Sequence, residues 1–386
     1  MKTLIAPLAF ALAAVPLASC NAAPAKPGGG KAQANAAFAI EDYGKFDEPW
    51  ALAFAPGTTM LFVTERGGTL KFVDTATKRL GTVTGLPKVD YGGQGGLGDI
   101  AFLPTEASPM LGKRTIYLTW VEAGEGGTRG AVAGRGTLAC EQTDACRIDG
   151  LSVIWRQDPK VEGRGHFSHR LLFTPDGQTL YLSSGERQKF TPAQDLSVNL
   201  GKVLRLNPDG TPKVGNPFAA RGGVSAQLWS YGHRNLLGLG FDAQSRLWAL
   251  EHGPAGGDEL NLIEPGRNYG WPLVSNGDHY DGKAIPRHAT RPDLAAPAIS
   301  WNPVIAPGDF IFYSGKAFPA WRGQALIAGM VYPGIVRVAI DGVSAREVER
   351  IDLGNRIREI EQGPEGAVWI VEDGKGGRLR RLVAKG

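Results

Sequence analysis

Arg170-Leu-Leu-Phe-Thr-Pro-Asp-Gly177, followed closely by Thr179-Leu-Tyr-Leu-Ser183, is the stretch on which the fold turns. It reads as an apolar strand ending in phenylalanine, a Pro-Asp-Gly turn and a second strand. Short apolar runs bounded by such turn residues favour sheet over helix. The same pattern recurs along the chain. Trp50-Ala-Leu-Ala-Phe-Ala-Pro-Gly57 leads into Met60-Leu-Phe-Val-Thr64, and Asp99-Ile-Ala-Phe-Leu-Pro104 into Thr115-Ile-Tyr-Leu-Thr119. Leu237-Gly-Leu-Gly-Phe-Asp242 precedes Arg246-Leu-Trp-Ala-Leu250, and Asp309-Phe-Ile-Phe-Tyr313 precedes Ala325-Leu-Ile-Ala328. The last copy is Ile357-Arg-Glu-Ile360 with Ala367-Val-Trp-Ile-Val371. A third apolar segment follows each pair, as in Thr69-Leu-Lys-Phe-Val73, Lys202-Val-Leu-Arg-Leu206 and Ile335-Val-Arg-Val338. Repetition with long insertions implies sheets arranged radially. The expectation is an all-β, six-bladed β-propeller with four-stranded antiparallel blades over residues 38–386. A sandwich, or two all-β domains, is the alternative, and no linker-like stretch between copies supports it.

Outside the repeats, residues 1–20 read as a secretory signal: Lys2 gives the positive start and Leu4 to Leu17 the apolar run. That run is shorter than the ~20 residues a membrane-spanning helix needs. It ends in Leu17-Ala-Ser-Cys20, which looks like a bacterial lipobox, so Cys20 is expected to carry a lipid; a plain signal peptide with an incidental cysteine is the alternative. Residues 21–37 are Ala, Gly, Pro, Lys and Asn with almost no large apolar groups, the composition of a flexible tether. This places the protein in a bacterial periplasm, held to a membrane only through the anchor. The remaining chain exceeds the ~250–300 residues of a usual single core, a limit that propellers evade because each blade packs only on its neighbours. Forty-two basic and 38 acidic residues leave a formal net charge of +4. With no basic stripe, nothing points to nucleic acid. Cys140 and Cys146 flank a short polar loop, which in an oxidising compartment reads as a local disulfide. A metal site there would have the wrong spacing for a zinc knuckle and no third cysteine.

Two loops are richer in chemistry than a packed core requires. One is Trp229-Ser-Tyr-Gly-His-Arg-Asn235. The other runs Glu251-His-Gly-Pro-Ala-Gly-Gly-Asp-Glu-Leu-Asn-Leu-Ile-Glu-Pro-Gly-Arg-Asn-Tyr-Gly-Trp-Pro272, a turn-rich segment whose carbonyls are partly free to serve as ligands. From roughly Phe38 onward the chain resembles the calcium- and PQQ-dependent soluble aldose sugar dehydrogenases (the soluble glucose dehydrogenase family). That resemblance implies a six-bladed propeller that oxidises the anomeric carbon of aldose sugars.

It also implies roles for particular residues. His166, in Gly163-Arg-Gly-His-Phe-Ser-His-Arg170, matches the histidine that takes the proton from the anomeric hydroxyl, since Arg170 then aligns with the arginine that opens the strand; His169 is the nearby alternative. A neutral imidazole suits that task. Gln94, held between glycines in Tyr91-Gly-Gly-Gln-Gly-Gly-Leu97, matches a glutamine that contacts cofactor and sugar. Arg234 and Asn235 match the pair set against the quinone oxygens, where a permanent cation stabilises developing negative charge. Gly253 and Pro254 match carbonyl ligands of the PQQ-bound calcium, an ion that accepts such oxygens freely. Glu259 and Tyr269, with Asp258 nearby, resemble a second calcium site. Arg356 and Arg358 alternate along a strand start, so they face one way and match a clamp on the carboxylates of PQQ.

Two positions depart from the family pattern. Gly165 stands where an acidic or polar residue often precedes the histidine, and Tyr332 where a lysine often pairs with a PQQ carboxylate. These departures favour a propeller that has lost its cofactor and binds sugar or a protein; a calcium-dependent, lactonase-type propeller is a further rival. The expected activity is PQQ- and calcium-dependent oxidation of aldoses to lactones, with the external electron acceptor left open. Trp271 and Trp301 are candidate apolar faces for a sugar ring.

Overall fold

The computed structural model describes residues 38–385. The signal segment, Cys20 and the tether lie outside the described residues. Within them the chain forms strands joined by loops and 3-10 turns of three to five residues. Every repeat read in the sequence is a pair of antiparallel strands, for example Ser168–Phe173 with Leu180–Ser184 and Pro49–Phe54 with Met60–Glu65. Leu180–Ser184, Leu247–Glu251, Ala325–Gly329 and Val368–Glu372 are buried at every position. They therefore appear in the sequence as mostly apolar runs without polar alternation, because their sheets are covered on both faces.

Four of the sheets have four antiparallel strands each. The fifth has eight, which departs from the expectation of separate four-stranded units. In it, two antiparallel meanders are fused where Thr82–Thr84 pair in parallel with Ala145–Arg147. The cause is the long hairpin of Arg129–Ala139 and Ala145–Arg156, which carries an unpaired edge as far as the edge strand Arg79–Thr84 of its neighbour. Cys140 and Cys146 are joined by a disulfide at the tip of that hairpin. A second unforeseen feature is Phe38–Asp47. It pairs antiparallel with Lys375–Ala384, from Phe38 opposite Ala384 to Asp47 opposite Lys375. The first described strand thus completes the sheet built by the last three.

The apolar core is divided among the faces between successive meanders. Phe62, Phe72, Ile100 and Ile116 pack between the first two. Tyr117, Trp155, Leu171 and Leu182 pack between the next two. The series closes where Phe46, Leu52 and Leu61 meet Trp369 and Val371, joining the last meander to the first. The inner strands accordingly neighbour one another in a closed cycle. Arg170 lies at its centre. Its guanidinium donates to Leu237 O at 2.6 Å, Gly308 O at 3.0 Å and Glu359 Oε2 at 2.5 Å, and approaches Asp99 Oδ1 at 3.4 Å, tying four inner strands to its own.

Candidate active site

Strand direction gathers the candidate residues at one end of this ring. In an antiparallel pair, the residues before the first strand and after the second share an end. Gln94 precedes Leu97–Phe102, His166 precedes Ser168–Phe173, Arg234 and Asn235 precede Leu236–Phe241, and Arg356 opens Ile357–Gln362. Gly253 and Pro254 follow Leu247–Glu251 by the same rule.

His166 is 5% exposed, and its Nδ1 is hydrogen-bonded to Glu186 Oε1. The other oxygen of Glu186 accepts the N–H groups of Lys189 at 2.6 Å and Phe190 at 2.7 Å. Gln94 Oε1 accepts the backbone N–H of His166 at 2.7 Å. Burial, then the nearby Arg234 cation, pushes the His166 pKa down to about 4, against the pull of Glu186. Burial alone would raise Glu186, but the bond with His166 and the Phe190 N–H hold its carboxyl below the usual range. The imidazole is therefore neutral near pH 7, with Nδ1 committed to the carboxylate and Nε2 left to accept a proton. The orientation that Gly165 cannot supply comes from Glu186, a residue the sequence reading did not single out. A Cβ at Gly165 would lie 2.5 Å from the end of the Gln188 side chain, which would have to move to admit the missing polar group. His169 is placed differently. It stacks on Trp50 with ring centroids 5.0 Å apart and pairs through Nδ1 with Thr119 Oγ1 at 2.8 Å, inside the protein.

Arg234 contributes both backbone and side chain. Its N–H donates to Glu251 Oε2 at 2.8 Å, and its carbonyl accepts from the N–H of Glu186 at 2.9 Å. The guanidinium reaches His252 O at 3.1 Å and Tyr280 Oη at 3.4 Å and lies 5.2 Å from the Trp271 ring centroid. Its buried Nε has no hydrogen-bond partner among the described residues. A cation bonded only to neutral oxygens and aromatic faces keeps its charge available for an anion or a polarised oxygen. Asn235 is fixed beside it by Ser168 Oγ, at 3.2 Å. Phe190, 43% exposed, stacks on Trp271 with centroids 5.7 Å apart. Trp271 itself is covered, and Trp301 is a core residue that donates to Glu347 at 2.9 Å. Of Phe190, Trp271 and Trp301, Phe190 is the exposed ring.

One small cavity is lined by Arg234, Glu251, Gly253, Pro254, Glu259, Tyr269 and His288, among others. Glu259 accepts from Asn261 Nδ2 at 3.3 Å and lies 3.2 Å from His288 Nε2, while Asn261 Oδ1 is buried without a partner. Among the described residues no three His, Cys, Asp or Glu side chains group as a metal site, so a metal here would depend on carbonyls. The carbonyls of Gly253 and Pro254, and separately the oxygens of Glu259 and Tyr269, are donors of the kind a hard cation takes. For Tyr269 only the carbonyl qualifies, since its hydroxyl donates to Leu262 O at 2.5 Å and accepts from Glu264 N at 2.8 Å. Asp258 is committed elsewhere: it accepts the N–H groups of Gly253 at 2.9 Å, Ile305 at 2.9 Å and Ala306 at 2.7 Å. It shapes the Gly253 loop.

Arg356 and Arg358 do face the same way, and Asp373 joins them. Asp373 Oδ2 accepts from Arg356 Nε at 2.8 Å, and Oδ1 from Arg358 Nε at 2.8 Å and Nη2 at 2.6 Å. The two cations overcome the effect of burial and hold the Asp373 carboxyl down to about 2. Two guanidinium charges against one carboxylate leave a net positive patch, which fits a polycarboxylate ligand. Tyr332 adds no charge to it: the ring packs on the apolar cluster around Trp248 and Trp301, 5.3 Å from the Arg350 guanidinium.

Residues 46–381 match the family described as Glucose / Sorbosone dehydrogenase. The aldose sugar dehydrogenase of Escherichia coli K12 is 34% identical over 345 residues, covering 88% of this chain and 90% of that protein. The crystal structure of the soluble aldose sugar dehydrogenase from Escherichia coli in the apo-form superposes with a TM-score of 0.81 at 33% identity, covering 90% of this chain and all of that one. The PQQ-bound aldose sugar dehydrogenase of Streptomyces coelicolor gives 0.70 at 26% identity, covering 90% of this chain and 98% of that one. With the match spanning nearly all the described residues, the chain belongs to the glucose/sorbosone dehydrogenase family.

Proposed function

We propose that this protein is a six-bladed propeller that oxidises aldose sugars at the anomeric carbon to lactones, with PQQ and calcium as cofactors. Counting each half of the eight-stranded sheet as one blade gives the number six. The observation that carries the reading is the neutral His166 imidazole bonded to the Glu186 carboxylate and set beside Arg234, whose guanidinium has no carboxylate partner among the described residues. Names of relatives supply the substrate class, since the Escherichia coli protein is an aldose sugar dehydrogenase and the Streptomyces structure is a PQQ-bound form.

Bound PQQ would supply the acceptor for the hydride that leaves the anomeric carbon, and calcium beside it the Lewis acidity. His166 Nε2 takes the proton of the anomeric hydroxyl, and Glu186 stabilises the imidazolium that forms. Arg234 stabilises negative charge on the oxygens facing it, in a site shielded from water. Gln94 and Asn235 position the reactants, and Phe190 offers its ring to the apolar face of the sugar. Arg356 and Arg358 hold the carboxylates of PQQ, while Gly253 and Pro254, and separately Glu259 and Tyr269, hold calcium.

The test is reconstitution of the apoprotein with PQQ and calcium, with several aldoses and a dye acceptor. Dye reduction that requires PQQ and yields lactone is expected. A protein that takes up no quinone and binds sugar without turnover would be a cofactor-free propeller; calcium-dependent lactone hydrolysis without quinone would make it a lactonase. We place the protein in the periplasm on a lipidated Cys20, and mass spectrometry of the native N-terminus decides this. An unmodified Cys20 removes the anchor.

A further inference from the structure

The loop that carries His166 is held in an unusual backbone conformation. His166, Ser168 and His169 have φ values of 49°, 57° and 65°. The pairing of Ser168–Phe173 with Leu180–Ser184 also slips between Ser168 and Leu171. Left-handed backbone at three residues with side chains persists only where the surroundings enforce it.

Arg187 supplies much of that enforcement. Its side chain is fully buried, with 0% exposure. Nε donates to Gly165 O at 2.9 Å, Nη2 to Gly163 O at 2.6 Å and Nη1 to Arg129 O at 2.6 Å. The Arg187 N–H donates to His166 O at 3.2 Å, and its guanidinium carbon sits 3.8 Å from the centroid of the Phe167 ring. It therefore grips the residues on either side of the histidine and the histidine's own carbonyl. All its side-chain hydrogen bonds go to backbone carbonyls. Burial, then the neighbouring Arg129 cation, lowers its pKa to about 9. A buried cation without a carboxylate partner is costly, and an apolar side chain would fill the same space without that cost. What a guanidinium adds is a rigid planar fork that reaches several carbonyls at fixed angles. Its neighbour Glu186 holds the imidazole of the same histidine, so two consecutive residues grip its ring and its backbone.

We infer that Arg187 is a positioning residue for the oxidation: it fixes the Gly163–Phe167 backbone so that the His166 ring meets Glu186 in a single orientation. The inference rests on the reading of His166 as the general base, and the experiment separates the two.

The variants are Arg187→Met, Arg187→Lys, Lys202→Met and His166→Gln in the full chain. Each is assayed with PQQ and calcium, and its six histidine rings are followed in ¹⁵N-labelled apoprotein, with His166 assigned by its own variant. Arg187→Met is expected to lower kcat about tenfold or more, equivalent to ~1.4 kcal/mol, while KM and PQQ affinity stay close to wild type. It should also displace the His166 ring resonances. Arg187→Lys keeps the charge but loses the fork, and is expected to restore only part of both. Lys202 is a second buried basic side chain bonded only to carbonyls, those of Pro192, Ala193 and Leu200; its loss should lower stability without moving the His166 resonances. Wild-type turnover per folded molecule in Arg187→Met, or unmoved His166 resonances, overturns the inference. If Arg187→Met does not fold, the same two readouts on Arg187→Lys decide. If His166→Gln keeps its turnover, the general-base reading fails, and the ring resonances still report on the clamp.

Discussion

Glu186 binds Nδ1 of His166 with one carboxylate oxygen and the N–H groups of Lys189 and Phe190 with the other. One side chain thus fixes the ring that would take the proton and the backbone of the exposed aromatic that would meet the sugar. Misplacing Glu186 disturbs both at once.

His166→Gln is therefore expected to lose ~10²–10⁴-fold in turnover, the usual cost of removing a general base, while still binding PQQ. Glu186→Gln removes a charge-assisted hydrogen bond of about 1.5–3 kcal/mol, or roughly tenfold to a hundredfold in kcat. His169→Gln should behave oppositely to both, lowering the melting temperature while each folded molecule turns over normally, because His169 packs on Trp50 and Thr119. Steady-state kinetics beside thermal melts check the three; a turnover defect confined to His169→Gln would reverse the assignment.

The same two histidines make apoprotein stability depend on pH. Burial lowers His166 to about 4 and His169 to about 3, whereas an unfolded histidine titrates near ~6.5. Between those values the unfolded chain binds more protons, so each histidine removes stability as pH falls from about 6.5 toward its folded value, by up to ~1.4 kcal/mol per pH unit. Buried carboxylates of the central ring, such as Asp99, pushed up to about 6 by burial, act in the opposite sense. The histidine contribution is isolated as a difference. Urea midpoints of wild type and His169→Gln should converge on acidification from pH 7 to pH 4.5, and a constant gap would refute the assignment.

How the site could be read from the sequence depends on which partners are local. The repeats around Leu171 and Leu182 were legible because these strands are buried on both faces, which writes mostly apolar runs without polar alternation into the chain. Glu186 and Asp373 were legible in principle. Each follows the second strand of a pair whose first strand follows His166 or Arg356, and so must lie at the same end. Within Gly185-Glu-Arg187 the carboxylate looks like an ordinary turn residue, and only the hairpin places it under the imidazole. The pairing of Phe38–Asp47 with Lys375–Ala384 left no local sign, because its specificity lies between opposite ends of the described chain. The fused eight-stranded sheet had the same origin, two edges meeting that no repeat announces.

Calcium removal should lower both activity and thermal stability. A ligand that binds only the native state stabilises it by ~2.7 kcal/mol at a hundredfold excess over its dissociation constant. Glu259→Gln should reduce the calcium-induced rise in melting temperature. Tyr269→Phe should lower the baseline stability but leave that rise intact, because the hydroxyl serves Leu262 and Glu264 and only the carbonyl is free for the ion. A melting temperature indifferent to chelation and to added calcium would exclude both sites.

The arginine pair is expected to contribute unequally to PQQ binding. Both guanidinium groups lean on Asp373, but the Arg358 side chain is 15% exposed and that of Arg356 47%. Solvent and salt screen the outer charge more effectively than the inner one. Losing one partner of a desolvated, hydrogen-bonded ion pair typically costs 2–5 kcal/mol or more, so Arg358→Gln should weaken PQQ binding by at least about tenfold. Arg356→Gln should cost less, and its effect should shrink further as ionic strength rises. Equilibrium titration of the apoproteins with PQQ at low and high salt measures both. Equal losses from the two variants, or a larger one from Arg356→Gln, would mean that the cofactor's carboxylates contact the outer guanidinium and leave Arg358 to Asp373 alone.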